Sequence, residues 1–280
     1  MKRDVGDEPD QGGAVGRFAG KNVIVTGDSS GIGWAITHAF VDEGATVFAV
    51  ARRGALLDAM RDASSEPARV HTAVVDVGVP EQARGMVAAA IAALGRVHVL
   101  VNNAAVMPYG PVLEMEEGTW RETLAVNLDG PFFASQAAAR HMVEEGGGVI
   151  VNIASANAFR VESPATNYNT SKAALVMMTR CFAHELGHLG LRACCVAPGQ
   201  TVTPEAVEEL SPEEYHREFV EYCSRVPLRR PGRPDEQAAA VLFLASDDAS
   251  FINGETIIVD GGELTGEWYD SALNPPVPGQ

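Results

Sequence analysis

Three side chains in the sequence combine residue type and spacing in a way that could do chemistry. Ser155 follows an apolar run at 148–153 (GVIVNI), Tyr168 comes thirteen residues later, and Lys172 four after that. Residues four apart on a helix share a face, so a phenol and an ammonium can enter one cleft. A free tyrosine titrates near pKa ~10. A neighbouring cation favours the phenolate and lowers that value, which brings proton exchange with a substrate oxygen toward neutral pH. Ser155 could donate a hydrogen bond to the same oxygen and stabilise the charge developing there. Lys172 could also hold ribose hydroxyls, and Asn127 could anchor a water that relays the proton to solvent. Taken alone, a helical Tyr-x-x-x-Lys pair is most often a surface pair. It gains weight from what lies upstream.

Upstream is a glycine-rich loop, 26–33 (TGDSSGIG), between a β-branched run and a helix-period segment. Gly27, Ser29, Ser30, Gly31, Ile32 and Gly33 are its candidate contacts to a pyrophosphate. Free N–H groups and the helix dipole favour an anion at that position. Glycines allow a sharp turn and close approach, and the strand–loop–helix context lifts the motif above an ordinary turn. Asp28 is an acid beside a pyrophosphate, and it is expected to face solvent or cap the helix. An NAD site places an acid at the end of the second strand for the ribose 2′-hydroxyl. Here that position is Ala51, followed by Arg52 and Arg53. A guanidinium there suits a 2′-phosphate, so NADP(H) is expected over NAD(H). Asp76, with Val77 after it, ends the third strand and could accept from an adenine amino group. The bland alternative for Asp76 is a turn or cap. Asn103 and Ala104, in 102–105 (NNAA), should line the adenosine and tie neighbouring strands.

The elements that must position these groups alternate regularly. Strands are expected at 21–27, 45–51, 70–77, 97–102, 148–153, 191–196 and 256–259. Helices are expected at 31–43, from 77 to 94, at 120–143, 164–188 and 235–245. Continuous apolar strands alternating with helices predict a Rossmann-type doubly wound parallel sheet of about seven strands with helices on both faces. One domain at 20–262 accounts for the pattern, with a polar extension at 1–19, a lid at about 200–227 and a tail at 263–280.

Composition narrows the function classes. The 280 residues carry a formal net charge of −16, which disfavours nucleic acid and anionic membrane as partners. The first 17 residues are polar and lack the apolar run of a signal peptide, and no stretch approaches the roughly 18 uninterrupted apolar residues of a transmembrane helix. Cys181, Cys194, Cys195 and Cys223 show no metal-ligand spacing and suit a reducing compartment, so a cytoplasmic location is expected. One competing motif is present: 184–188 (HELGH) reads as H-E-x-x-H, the pattern of a zinc hydrolase. Its extended form fails at Leu191 and Cys194, and Glu205 is only a distant third ligand. The expected set of metal ligands is therefore empty.

These pieces together resemble the short-chain dehydrogenase/reductase family, in its single-domain tyrosine-dependent branch. The resemblance rests on residues 26–33, Asp76-Val77, 102–105, Asn127, Ser155, 168–172 (YNTSK), Pro198-Gly199 and the stretch 226–262. It implies a carbonyl–alcohol oxidoreductase with Asn127, Ser155, Tyr168 and Lys172 as a catalytic tetrad. It also implies that Pro198, Gly199, Thr201 and Thr203 contact the nicotinamide end of the cofactor. A homo-oligomer, tetramer or dimer, is implied too, built on the helices of Asn127 and Tyr168 and on the last helix and strand. Ala105 departs from a frequent glycine, a change expected to be tolerated. A non-catalytic dinucleotide sensor of the same fold is the alternative, against which stand the retained tyrosine and lysine. The expected pocket wall is Val106, Met107, Tyr109, Ala156, Asn157, Phe159 and Val161. That points to a neutral, moderately apolar ketone or alcohol, with Arg160 the nearest candidate for a substrate carboxylate.

Overall fold

The β-branched runs form the strands of one parallel sheet. The computed structural model describes residues 16–28, 30–202, 210–216, 219, 221–224 and 226–266. Its strands are β1 (Asn22–Thr26), β2 (Thr46–Ala51), β3 (Val70–Val74), β4 (Val99–Asn102), β5 (Gly148–Ile153), β6 (Leu191–Pro198) and β7 (Thr256–Val259), in the order β3-β2-β1-β4-β5-β6-β7. All pairs are parallel, for example Val25 with Ala49 and with Val101. The order reverses between β1 and β4. Open α/β sheets bind ligands at such a switch point, in the crevice beyond the carboxyl ends of the strands.

The longer helices are α1 (Gly31–Asp42), α2 (Gly54–Asp62), α3 (Pro80–Leu94), α4 (Glu117–Leu124), α5 (Gly130–Glu144), α6 (Thr166–Leu186) and α7 (Pro234–Ala245). They cover both faces. Val23, Val25, Ile36, Phe40 and Val241 belong to one core cluster, and Ile24, Leu100, Met142 and Ile150 to the other. Alternate residues of β1 thus serve opposite cores, the pattern of a sheet buried on both sides. Cys194 and Cys195 are buried in β6, as small apolar residues there should be.

Several boundaries differ from the sequence reading. Helix α2 is an element that the sequence reading did not assign. The third strand ends at Val74, since Asp76 turns the chain by accepting from Gly78 N at 2.9 Å. The expected 120–143 helix is two helices joined by a π turn at Ala125–Asp129. The domain also begins before residue 20. Phe18 is buried edge-on against Phe40 at 4.8 Å, and the Arg17 guanidinium grips Glu43. Glu263–Thr265 forms a 3₁₀ turn packed on the domain, so the tail starts later than 263. Of the expected lid, residues 203–209, 217, 218, 220 and 225 lie outside the described residues, and they include Thr203 and Glu205.

Candidate active site

The carboxyl ends of β1, β4 and β5 bring the candidate residues to one edge. Gly27 and Gly31 adopt φ of +73° and +62°, which only glycine takes without strain. A Cβ on Gly27 would stand 2.6 Å from Ala104 Cα, and one on Gly33 would stand 2.5 Å from Gly27 O. The loop is therefore pressed against β4 and α1. Asn103 fixes it there, donating from Nδ2 to the carbonyls of Thr26 and Gly27 at 2.9 and 3.1 Å. Ser30 precedes α1 in extended backbone with no side-chain cap, and no acid sits in the first turn. That leaves the first N–H groups of α1 without a capping side chain. Ser29 lies outside the described residues. Arg53 donates to Ser30 Oγ at 3.2 Å, which places the end of β2 against the loop, while Arg52 is exposed beside it.

Asp28 overturns its expectation. It faces neither solvent nor the helix end but is fully buried, accepting from Thr37 Oγ1 at 2.5 Å, while its Oδ1 has no partner. Burial pushes its pKa well above the ordinary carboxylate range, against a smaller opposing effect of Thr37. A neutral Asp28 adds no charge beside the loop. A raised folded-state value means that the native state holds this proton more tightly than the unfolded chain. Its stabilising effect is complete at low pH and is lost as pH rises from ~4 toward the folded-state pKa. Asp28→Asn is therefore expected to raise the melting temperature more at pH 8 than at pH 5. The scale is about 2–4 °C for each ~1 kcal/mol. An equal shift at both pH values in thermal melts would sink the assignment.

Ser155, Tyr168 and Lys172 are brought together. Ser155 follows β5 in extended backbone and accepts from Asn157 N at 3.1 Å. Tyr168 and Lys172 lie on the first turns of α6. Ser155 lies close enough to the Tyr168 phenol to favour its phenolate form. Lys172 is fully buried, its Nζ 5.6 Å from the Tyr168 ring centroid and donating to Ile153 O at 2.7 Å. The expected lowering of the tyrosine is not found. Burial raises Tyr168 above its ordinary value, only partly offset by Ser155, and the same cause brings Lys172 down to about 8. In this cleft desolvation outweighs attraction because the ammonium turns toward a backbone carbonyl rather than the phenol oxygen.

Asn127 lies in the π turn, fully buried. Its side chain exchanges two hydrogen bonds with the backbone of Val106, at 2.8 and 2.9 Å, and donates to Ser171 Oγ at 3.1 Å. Ser171 donates in turn to Tyr168 O at 2.7 Å. This chain ties β4, the π turn and α6 behind the cleft. Sequence reasoning missed Ser171, although its place in YNTSK, one residue before Lys172, was available as a signal.

Known proteins resemble this chain along most of its length. Residues 27–263 match a family model described as enoyl-(acyl carrier protein) reductase. The chain is 37% identical over 247 residues to 3-oxoacyl-(acyl-carrier-protein) reductase of Thermotoga maritima, covering 88% of this chain and 98% of the relative. It is 38% identical over 250 residues to galactitol 2-dehydrogenase (L-tagatose-forming) of Cereibacter sphaeroides, covering 89% and 96%. A crystal structure of a short-chain type dehydrogenase/reductase from Mycobacterium marinum matches with a TM-score of 0.81 at 34% identity, over 89% of this chain and 97% of that one.

The chain belongs to the short-chain dehydrogenase/reductase family. It is an oxidoreductase interconverting carbonyl and alcohol groups, and the family's cofactor is a nicotinamide dinucleotide. The residues present fit that cofactor: a loop with two left-handed glycines leads into a helix N-terminus whose N–H groups have no side-chain cap. The named relatives are enzymes, and they lend no support to a non-catalytic sensor.

Around this short-chain dehydrogenase site, other expected residues take particular places. Asp76 spends Oδ1 on its own turn, and Val77 is buried. Pro198 ends β6, and a Cβ on Gly199 would stand 2.8 Å from Asp260 Cα. Thr201 is tied to Gly199 O and to Gln237. Met107, Tyr109, Phe159 and Val161 are exposed at the rim, whereas Ala156 is buried beneath the surface and is removed from the expected wall. Arg160 is engaged: its guanidinium pairs with the nearly buried Glu263 at 2.5 Å and donates to Asn157 Oδ1 at 3.2 Å. His184 and Glu185 are exposed on the last turn of α6, and His188 lies beyond it in a 3₁₀ turn, so the three do not share one helix. Among the described residues no group of three or more potential metal ligands occurs, and no helix is long and apolar enough to cross a membrane.

Proposed function

We propose that this enzyme reduces a small neutral ketone, or oxidises the matching alcohol, with Ser155, Tyr168 and Lys172 at the reacting oxygen and NADP(H) preferred. The observation that carries the reading is the Lys172 ammonium buried 5.6 Å from the ring of Tyr168, with Ser155 close enough to the phenol to favour its phenolate. The cofactor, when bound, supplies or accepts the hydride. In reduction Tyr168 gives its proton to the substrate oxygen, and Ser155 donates a hydrogen bond to that oxygen as charge develops. Lys172 then stabilises the phenolate left behind. Asn127 and Ser171 hold Tyr168 in register through the backbone. Arg160 is already paired with Glu263, which favours an uncharged substrate over a carboxylate.

The preference for NADP(H) rests on Arg53 at Ser30 and on Arg52 beside it, with no acid ending β2. A charge-assisted contact of about 1.5–3 kcal/mol is roughly ten- to a hundredfold in affinity. Arg53→Ala is therefore expected to weaken NADPH by at least about tenfold while NADH changes little, and Arg52→Ala to act in the same direction. Fluorescence titration with both nucleotides is the test, and equal losses for the two would remove the argument.

The pH profile offers another check. Reduction requires the Tyr168 proton and the Lys172 charge. Tyr168 titrates above its ordinary value and Lys172 at about 8. For carbonyl reduction kcat/KM is expected to be flat on the acid side of that value and to fall above it, since it reports the free enzyme. A profile rising through pH 8–9 would contradict this.

The four free cysteines suit a reducing cytoplasm. Exposed Phe132 on α5, Met177 on α6 and Ile258 on the edge strand β7 support a homo-oligomer.

A further inference from the structure

At the amino ends of the strands, opposite the cleft, lies a cavity of about 280 Å³ lined by Arg17, Lys21, Arg96, His98, Arg192 and Asp247, with glycine backbone at 146–148. The sign of its charge is unexpected. The chain carries 37 acidic residues against 21 lysines and arginines, yet the lining holds four of the latter and one acid. Some of these cations are spoken for. Arg17 is paired with Glu43 at 2.9 Å. Arg192 donates to the carbonyls of Leu244 and Ser246 at 2.8 and 2.9 Å, which fixes it in place, and Asp247 lies near it.

Lys21 and Arg96 are different. Neither is in a salt bridge among the described residues. Arg96 Nη2 reaches Gly147 O only at 3.5 Å, and its Nε is buried with no hydrogen-bond partner. A buried donor without a partner is costly and calls for an explanation. His98 does not cancel the charge. Its Nδ1 accepts from Asn22 N at 2.9 Å, so the neutral ring carries its proton on Nε2 and offers another donor. Burial, then Arg96 and Lys21, hold its pKa below the ordinary value, with Glu145 opposing weakly. Lys21 and Arg96 thus both act on the one ring in the cavity wall, and their charge there is positive.

We propose that this cavity binds a small phosphorylated molecule, its phosphoryl group held by Lys21 and Arg96. A guanidinium fork beside an ammonium is a common phosphate-binding pair, and two uncancelled cations match a dianion better than a single carboxylate. The volume lies near the lower edge of the roughly 300–1,000 Å³ of small-molecule sites, room for a phosphoryl group with a short organic tail. The site is at the start of β4 and β5, whereas Ser155 follows the end of β5, so its ligand and the redox substrate do not compete for space. The proposal stands independently of the reaction argued above.

The test is calorimetric titration of the full chain with inorganic phosphate, glycerol phosphate and acetate at matched ionic strength. Saturable binding of both phosphates and none of acetate is expected. Arg96→Gln and Lys21→Gln should each weaken it at least tenfold, while Arg53→Ala at the opposite edge leaves it within twofold. A melt of each variant checks folding, and Lys21→Gln carries the test if Arg96→Gln unfolds. No phosphate binding, or binding lost in Arg53→Ala and kept in both other variants, overturns the site.

Discussion

Tyr168→Phe is expected to lower kcat by about 10²–10⁴, the usual range for removing a positioned general acid–base group. Cofactor affinity should stay close to that of the parent. The substitution removes one oxygen and keeps the ring, so the packing around α6 is preserved. What is lost locally is the contact of the phenol hydroxyl with Ser155. Because the hydroxyl acts only while the proton moves, kcat and kcat/KM should fall together. Steady-state kinetics with a reducible ketone, beside a nucleotide titration, separates the outcomes. Near-normal turnover would remove Tyr168 from the mechanism. Loss of nucleotide binding would mean that the phenol builds the cofactor site instead.

Lys172→Met should separate activity from stability. Turnover is expected to fall by a similar two to four orders of magnitude, since the phenolate loses its cation. Stability should hold or rise. Burial takes Lys172 from 10.5 to about 8, which corresponds to roughly 3 kcal/mol at neutral pH. The sign follows from the depressed value. Between about 8 and 10.5 the unfolded chain binds this proton more tightly, so the parent gains stability as pH rises through that window. Below it the full cost is present. Methionine removes that cost but leaves Ile153 O without its 2.7 Å donor, a loss of about 1–3 kcal/mol. The two nearly cancel, with a net gain at pH 7 of about 0–2 kcal/mol. Denaturant melts at pH 7 and pH 10 test this: the advantage of the variant should shrink at the higher pH. A variant much less stable than the parent at pH 7 would mean that the buried ammonium holds the fold together. The enzyme would then be carrying the lysine for structure rather than chemistry.

The sheet was legible in the sequence because its strands are continuous apolar runs, such as VIVT and VIVNI, separated by helix-period segments. Order along the chain then placed Gly27–Gly33, Asn103 and Ser155 at the carboxyl edge, since a parallel sheet sends every strand the same way. The pair Tyr168–Lys172 was readable from helical periodicity alone. Local pattern thus determined which residues meet.

What those residues do to one another was decided only in three dimensions. Asp28 looked like a surface acid by type, but Thr37, a full turn and more into α1, closes over it and keeps it buried. The lysine seemed bound to lower the tyrosine, yet the position of Ile153 O draws its ammonium away, and burial acts on both groups more strongly than either acts on the other. Arg160 looked free for a substrate until Glu263, about a hundred residues on, came to meet it. Lys21, Arg96 and Arg192 carry no signal in sequence, being single cations at the starts of separate strands, and only the parallel sheet gathers them around one cavity. Burial and long-range pairing depend on which surfaces face each other, and hydrophobic period contains no information about that. The sequence by itself therefore determined the fold and the cast of the cleft, and the tertiary structure decided their charge states, their partners and the basic cavity at the far end of the sheet.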